Sequence, residues 1–333
     1  MIIPSSKVYL KQFLHGCAVP AIIHNGSYFF VDLEVYENGR IECWHFEDFE
    51  GFKKDLQKGW VIPFIPDGQS ISIHGLGEWK ISNGRWLYDK NTFLDYVQSV
   101  IRHLNPHLNN IFQYREKKYK NMIMGESGRG TAYKVKHQEP YDLYPIKTDG
   151  NGVNLFYKDG NQNYLVKVNV FADETLQIER LETPLQMSFA QFEHLINDKI
   201  ISTDLPEDEV LQIYGLGEFS IKPVYKTDVH EKLLELKDML SQLKGEPSVI
   251  ELCKQAFEHY IANPSHENKE KLKVAYENVP EHKRIYVGDM DTKDIQVRMI
   301  IYGDQEIENW SHFKLAQKFG EKLPSITVPK PKE

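Results

Sequence analysis

Along Tyr28 to Tyr36 the apolar residues Phe29, Val31, Leu33 and Val35 alternate with Phe30, Asp32, Glu34 and Tyr36. A period of two predicts a strand with one face on a core. Asn38-Gly39 follows, and Ile41, Cys43 and His45 then alternate with Glu42, Trp44 and Phe46. Two alternating runs around Asn-Gly predict a β-hairpin, because the tight turn needs φ > 0 at its central residues. The period then changes. Phe49, Phe52, Lys53 and Leu56 have the i, i+3, i+4, i+7 spacing of a short helix, closed by Gly59. Trp60 to Pro63 and Ile71 to Ile81 predict further strands, with Gly75-Leu76-Gly77 as a bulge or bend in the second. Phe93, Val97, Val100, Ile101 and Leu104 stripe a helix that stops before Pro106.

This pattern occurs twice. Ile73-His74-Gly75-Leu76-Gly77-Glu78-Trp79-Lys80-Ile81 returns as Ile213-Tyr214-Gly215-Leu216-Gly217-Glu218-Phe219-Ser220-Ile221, 140 residues later. The same offset places Phe49 on Phe189, Phe52 on Phe192, Leu56 on Ile196 and Pro66 on Pro206. Upstream it becomes 135, with Val31 on Val166, Leu33 on Val168 and Val35 on Val170. The change places an insertion in the second copy near Glu179 to Ser188, where a hairpin arm should differ. Matching of apolar to apolar over such a span indicates duplication of a ββ-α-ββ-α unit. The second copy closes on a helix over Val229 to Leu243, with Leu233, Leu236, Leu240 and Leu243 on one face and Gly245 beyond its end.

After Gly245 the character changes. Ile250 to Ala262 and Glu267 to Tyr276 predict an αα-hairpin. Arg284 to Val287 and Val297 to Tyr302 read as strands, Trp310 to Phe319 as a helix, and Pro324 to Glu333 as a loose tail. The predicted fold class is α+β: two homologous antiparallel-sheet-plus-helix modules, 1–110 and 141–247, then a C-terminal α+β segment, 248–333. Residues 111–140 form a basic linker or flap between the modules.

Composition and charge narrow the classes. The chain has 333 residues, 41% of them apolar and 12% aromatic, enough for real cores. No run approaches the ~18 apolar residues of a spanning helix, and Met1 to Lys7 lacks the features of a secretory leader. Cys17, Cys43 and Cys253 are too few and odd in number for a disulfide framework. These features lead us to expect a cytoplasmic protein without membrane contact. The net charge of −8 is uneven: −2 over 1–110, +4 over 111–140, −9 over 141–247 and −1 beyond. Asp204, Glu207, Asp208 and Glu209 concentrate the acidity in one loop.

Candidate chemistry is sparse. Gly125 to Thr131 lacks the lysine of a P-loop, and neither Gly-Leu-Gly motif has the third glycine of a dinucleotide site. Asp289, Asp291 and Asp294 could share Mg²⁺ or Mn²⁺ if two strand ends bring them together, since hard cations take oxygen ligands. Cys43 and His45, expected on one face of a strand, and His74 in a neighbouring strand form a weaker metal candidate. Arg115, Lys117, Lys118, Lys120 and Arg129 of the linker are the positions at which nucleic acid could bind. Trp86 aligns with Lys226; a core position resists such a volume change, so Trp86 is a candidate surface anchor.

The leading expectation is a non-enzymatic protein that binds a macromolecular partner through Trp86 and the acidic loop Asp204, Glu207, Asp208 and Glu209. An immunity-like inhibitor of a basic toxin or nuclease would fit. The alternative is a metal-dependent phosphoester hydrolase using Asp289, Asp291 and Asp294.

Overall fold

The structure, a computed structural model, describes residues 14–113, 115–119, 122–126, 150–207 and 209–331, with 45–47, 115–119 and 122–126 described by backbone alone. The first module runs β1 (Gly16–His24), β2 (Tyr28–Tyr36), β3 (Ile41–Cys43), β4 (His45–Glu47), α1 (Phe49–Lys58), β5 (Val61–Ile62), β6 (Ser70–Ile73), β7 (Gly77–Trp86) and α2 (Lys90–Leu104). Strands β8 (Arg115–Tyr119) and β9 (Met122–Glu126) form a separate two-stranded sheet. The second module repeats the course with β10 (Gly150–Asp159), β11 (Gln162–Phe171), β12 (Thr175–Glu179), β13 (Leu185–Ser188), α3 (Phe189–Asn197), β14 (Ile201–Ser202), β15 (Val210–Ile213), β16 (Gly217–Lys226) and α4 (Val229–Leu243). The fold is mixed α+β with an internal duplication, as the repeat requires.

Local signals act as expected. Asp48 caps α1 by accepting from Gly51 N–H, and Gly59 ends the helix at φ 82°, the left-handed conformation that favours glycine. Each module contributes one parallel pair, β2 with β6 and β11 with β15; its other ladders are antiparallel. The crossover through α1 and β5 returns the chain in the direction it left, which produces that pair. Gly-Leu-Gly is not a bend within one strand. It is the turn between β6 and β7, and again between β15 and β16, with Leu76 and Leu216 fully buried.

The modules join along β7 and β16, which pair antiparallel with Ile81 opposite Ile221. Equivalent residues exchange roles across this seam: Gly77 faces Lys226, and Gly217 faces Trp86. Thr227 N–H donates to Leu76 O at 2.9 Å, and Leu87 N–H to Leu216 O at 3.0 Å. The result is one 14-stranded sheet, whose two halves also meet face to face. Trp79 makes an edge contact with Phe156 at 5.3 Å, and one core draws Ile22, Phe30, Ile71, Trp79 and Ile81 together with Phe156, Leu165, Leu211, Phe219 and Ile221. Alternation puts Leu33, Val35, Ala21 and Ile23 on the other face, packed with Phe52, Leu56, Phe93 and Val97 of α1 and α2.

The C-terminal segment has its own core. It comprises α5 (Val249–Ala262), α6 (His266–Glu277), a 3-10 turn (Glu281–Tyr286), α7 (Ile295–Tyr302), a second 3-10 turn (Asp304–Asn309) and α8 (Ser311–Phe319). Helices α5 and α6 form the expected hairpin. The two strands expected here are instead the first 3-10 turn and α7. In α7, Ile295, Val297, Met299, Ile300 and Ile301 are all buried. A short helix buried over most of its surface shows little amphipathic stripe and resembles a buried strand in sequence. The tail is not loose over 321–331. Val328 is buried in the core, Tyr260 donates its hydroxyl to Pro329 O at 2.8 Å, and Lys330 pairs with Asp304.

Candidate partner-binding surface

The insertion in the second copy lies where the sequence places it, and it separates the fates of two equivalent hairpins. In the second module residues 180–184 connect β12 to β13; in the first, Trp44 alone connects β3 to β4. Arg180 leaves its hairpin and crosses to the first module. Its guanidinium donates to Asp32 Oδ2 at 2.6 Å and Asn154 Oδ1 at 2.8 Å, and lies 4.7 Å over the Phe30 ring. Lys167, the positional equivalent of Asp32, approaches the same carboxylate at 4.0 Å. This second hairpin is fastened to the neighbouring module by charge and by stacking.

The first hairpin holds its aromatic tip in solvent. Trp44 has φ 62°, an uncommon conformation for a non-glycine residue, and is 58% exposed. Its ring stands edge-on to Trp60 at 6.1 Å and tilted to Phe29 at 5.5 Å. Trp60 and Phe29 rest in turn on the helix-side core. A rigid indole is thereby supported from beneath with its outer face free, as in interface anchors.

Trp86, the anchor expected from sequence, is partly buried at the seam and stacks on Phe219 at 5.2 Å. Its exchange for Lys226 matches an opposite exchange across the seam, where the smaller Phe219 replaces Trp79. Of the acidic loop, Asp204 pairs with Lys226, Glu207 with Lys222 at 3.4 Å, and Glu209 accepts from Asn163 at 2.8 Å; Asp208 lies outside the described residues.

The aspartates of the C-terminal segment serve separate purposes. Asp289 closes its own turn by accepting from Asp291 N–H, Thr292 N–H and the Thr292 hydroxyl. Asp291 is exposed, and its carbonyl takes the Trp310 indole N–H at 2.8 Å. Asp294 is buried and accepts from the Tyr276 hydroxyl at 2.5 Å. Cys43 and His45 stand on two strands rather than on one, because the chain reverses at Trp44 and pairs the two directly across β3 and β4. The His45 side chain lies outside the described residues, and His74 is exposed in the β6–β7 turn. Among the described residues no group of three or more His, Cys, Asp or Glu could hold a metal ion. Of the linker cations, Arg115, Lys117 and Lys118 fall in β8 with their side chains outside the described residues; Lys120 and Arg129 lie wholly outside them.

Sequence reasoning missed a second, buried polar face of α4. Lys232 is 1% exposed and places Nζ 2.6 Å from Glu235. Lys283 and His282 of the first 3-10 turn approach Glu235 at 2.7 and 3.3 Å, and His282 also lies 3.5 Å from Glu231. Burial alone would raise the Glu235 carboxyl. His282, Lys232 and Lys283 outweigh it and hold the group well below the usual carboxylate range. Burial lowers the Lys232 ammonium, with Glu235 opposing. Farther along α4, Asp238 accepts from Val249 N–H at 2.8 Å. Positions 231, 232, 235 and 238 follow helical spacing, so the face is readable in sequence, but an exposed polar face would look the same.

The architecture thus defines a duplicated α+β protein joined as a pseudo-dimer, with a helical domain docked on the second copy. Residues 4–108 and again 143–247 match the family described as Domain of unknown function (DUF7638), and the chain belongs to that family. Residues 248–325 match Domain of unknown function (DUF7639). No curated protein and no solved structure matches the chain. Among the described residues no helix is long and apolar enough to cross a membrane.

Proposed function

We propose that this is a non-enzymatic macromolecule-binding protein that engages a protein partner through the Trp44 hairpin of the first module. The observation that carries the reading is Trp44 itself, the exposed member of five tryptophans, seated on Trp60 and Phe29. In the second module the equivalent hairpin is occupied in holding the modules together through Arg180. The hairpin of the first copy keeps a large aromatic in water, which costs solvation unless a partner covers it.

The expectation of a basic toxin or nuclease as partner rested on the acidic loop. Asp204 and Glu207 are engaged by Lys226 and Lys222, and the exposed, supported ring of Trp44 favours the aromatic surface for the binding reading. Affinity capture from native extract, with the full chain as bait, tests both. The wild type and a D204N/E207Q variant should retain a stoichiometric protein partner, and W44A should lose it by roughly tenfold or more. Absence of any stoichiometric partner, or loss on D204N/E207Q with retention by W44A, would overturn the reading.

A further inference from the structure

We propose that His282 is a proton-operated clasp between helix α4 and the C-terminal helical domain. The inference is independent of the Trp44 surface. His282 projects from the first 3-10 turn into the space between two carboxylates of one helix, with Nδ1 3.5 Å from Glu231 Oε2 and Nε2 3.3 Å from Glu235 Oε2. The same turn binds Glu231 a second time, through the Glu281 N–H at 3.1 Å.

The geometry makes the clasp depend on protonation. A neutral imidazole carries one N–H, so it can donate to only one of the two carboxylates and turns a lone pair toward the other. An imidazolium turns positive charge toward both: the Nδ1 contact to Glu231 becomes charge-assisted, and Nε2, which has no hydrogen-bond partner, faces Glu235 as an ion pair at 3.3 Å. The two glutamates are not equally in need of it. Glu235 already has Lys232 at 2.6 Å and Lys283 at 2.7 Å. Glu231 has no lysine or arginine ion pair among the described residues, so His282 is its nearest cation.

From α4 come Glu231, Lys232 and Glu235. From the 3-10 turn come Lys283 and Arg284, the latter directed to Val279 O and the Tyr276 ring. Helix α5, also packed on the turn, places Cys253 beside Arg284. The first module contributes the turn of His74 and Gly75, with His74 exposed and Gly75 against Lys232 Nζ. Protonation of His282 adds the positive charge that Glu231 lacks.

Hydrogen exchange of the full chain, corrected for intrinsic rates, tests this at the Glu281 amide and across 281–287. Between about pH 5.5 and about pH 8 protection in the wild type should fall about tenfold, the scale of one charge-assisted hydrogen bond. H282Q should show low protection at both pH values. Equal pH dependence in wild type and H282Q would overturn the proposal. Should H282Q fail to fold, the ¹⁵N shifts of the wild-type His282 ring decide. Protonation of both ring nitrogens in step with the gain in protection supports the clasp, and a ring that stays neutral across the range refutes it.

Discussion

Ile81 lies directly opposite Ile221 in the seam between the modules, and the two are the same position of the duplicated unit. A strand pair centred on equivalent residues is what a two-fold dimer builds, since an isologous interface sets each surface against its own copy. Here the interface has been captured within one chain. Its two sides have since diverged: Asp32 faces Lys167 at 4.0 Å, although they are equivalent positions. Two copies of the first module would set aspartate against aspartate there, so the charges favour unlike pairing.

The second glycine of each repeated motif, Gly77 and Gly217, is fixed by the seam. A Cβ on Gly77, at φ 153°, would lie 2.3 Å from the Tyr225 carbonyl oxygen. G77A should therefore destabilise by about 3 kcal/mol or more, as overpacking against backbone and a disfavoured conformation add. At Gly68, with φ 86° and open space around it, alanine should cost only about 1 kcal/mol. Urea denaturation of the two variants measures the difference.

The junction of α4 with the C-terminal domain should weaken in acid. Glu235 is depressed in the folded protein, so its contribution is present above the ordinary carboxylate range and is lost as pH falls below it. Wild-type stability should decline from about pH 5 downward. E235Q should be less stable at neutral pH and decline less steeply, as thermal melts across the acid range would record.

Thiol labelling should separate the cysteines. Cys17 is exposed, while Cys253 is fully buried in the C-terminal core, where burial pushes its thiol up to about 11. An alkylating reagent at mild alkaline pH should modify Cys17 promptly and reach Cys253 only at the rate of unfolding. Peptide mapping over time checks the order.

The C-terminal strap should contribute to stability. Removing residues 324–333 uncovers the Val328 site and leaves the Tyr260 hydroxyl without its carbonyl partner. The loss should be about 2–4 kcal/mol, from one buried side chain and one hydrogen bond. Calorimetry should show it in the transition of the C-terminal domain.

Much of this architecture is legible in the sequence, and what is hidden has physical causes. Gly39 and Gly59 mark turns because few residues adopt their left-handed conformation, and the helix stripe from Leu233 to Leu243 marks the buried side of α4. Alternation in β7 tells which residues face inward but not which strand lies alongside, so the seam could not be read. Trp86 was marked by its exchange for Lys226, yet that exchange records repacking against Phe219 rather than exposure. Trp44 was hidden because it continues an alternating run; the reversal at φ 62° that lifts it into solvent leaves no sequence signal at a tryptophan.

The central claim is that two equivalent hairpins have different tasks, one holding the modules together and the other free to bind. Calorimetric stability of R180A and W44A, measured side by side, tests it most directly. R180A should cost about 2–4 kcal/mol, because it leaves the Asp32 carboxylate at the module interface with only the more distant Lys167. W44A should cost no more than about 1 kcal/mol, the scale of its aromatic edge contacts. A loss on W44A equal to or greater than that on R180A would make Trp44 a structural residue and contradict the account.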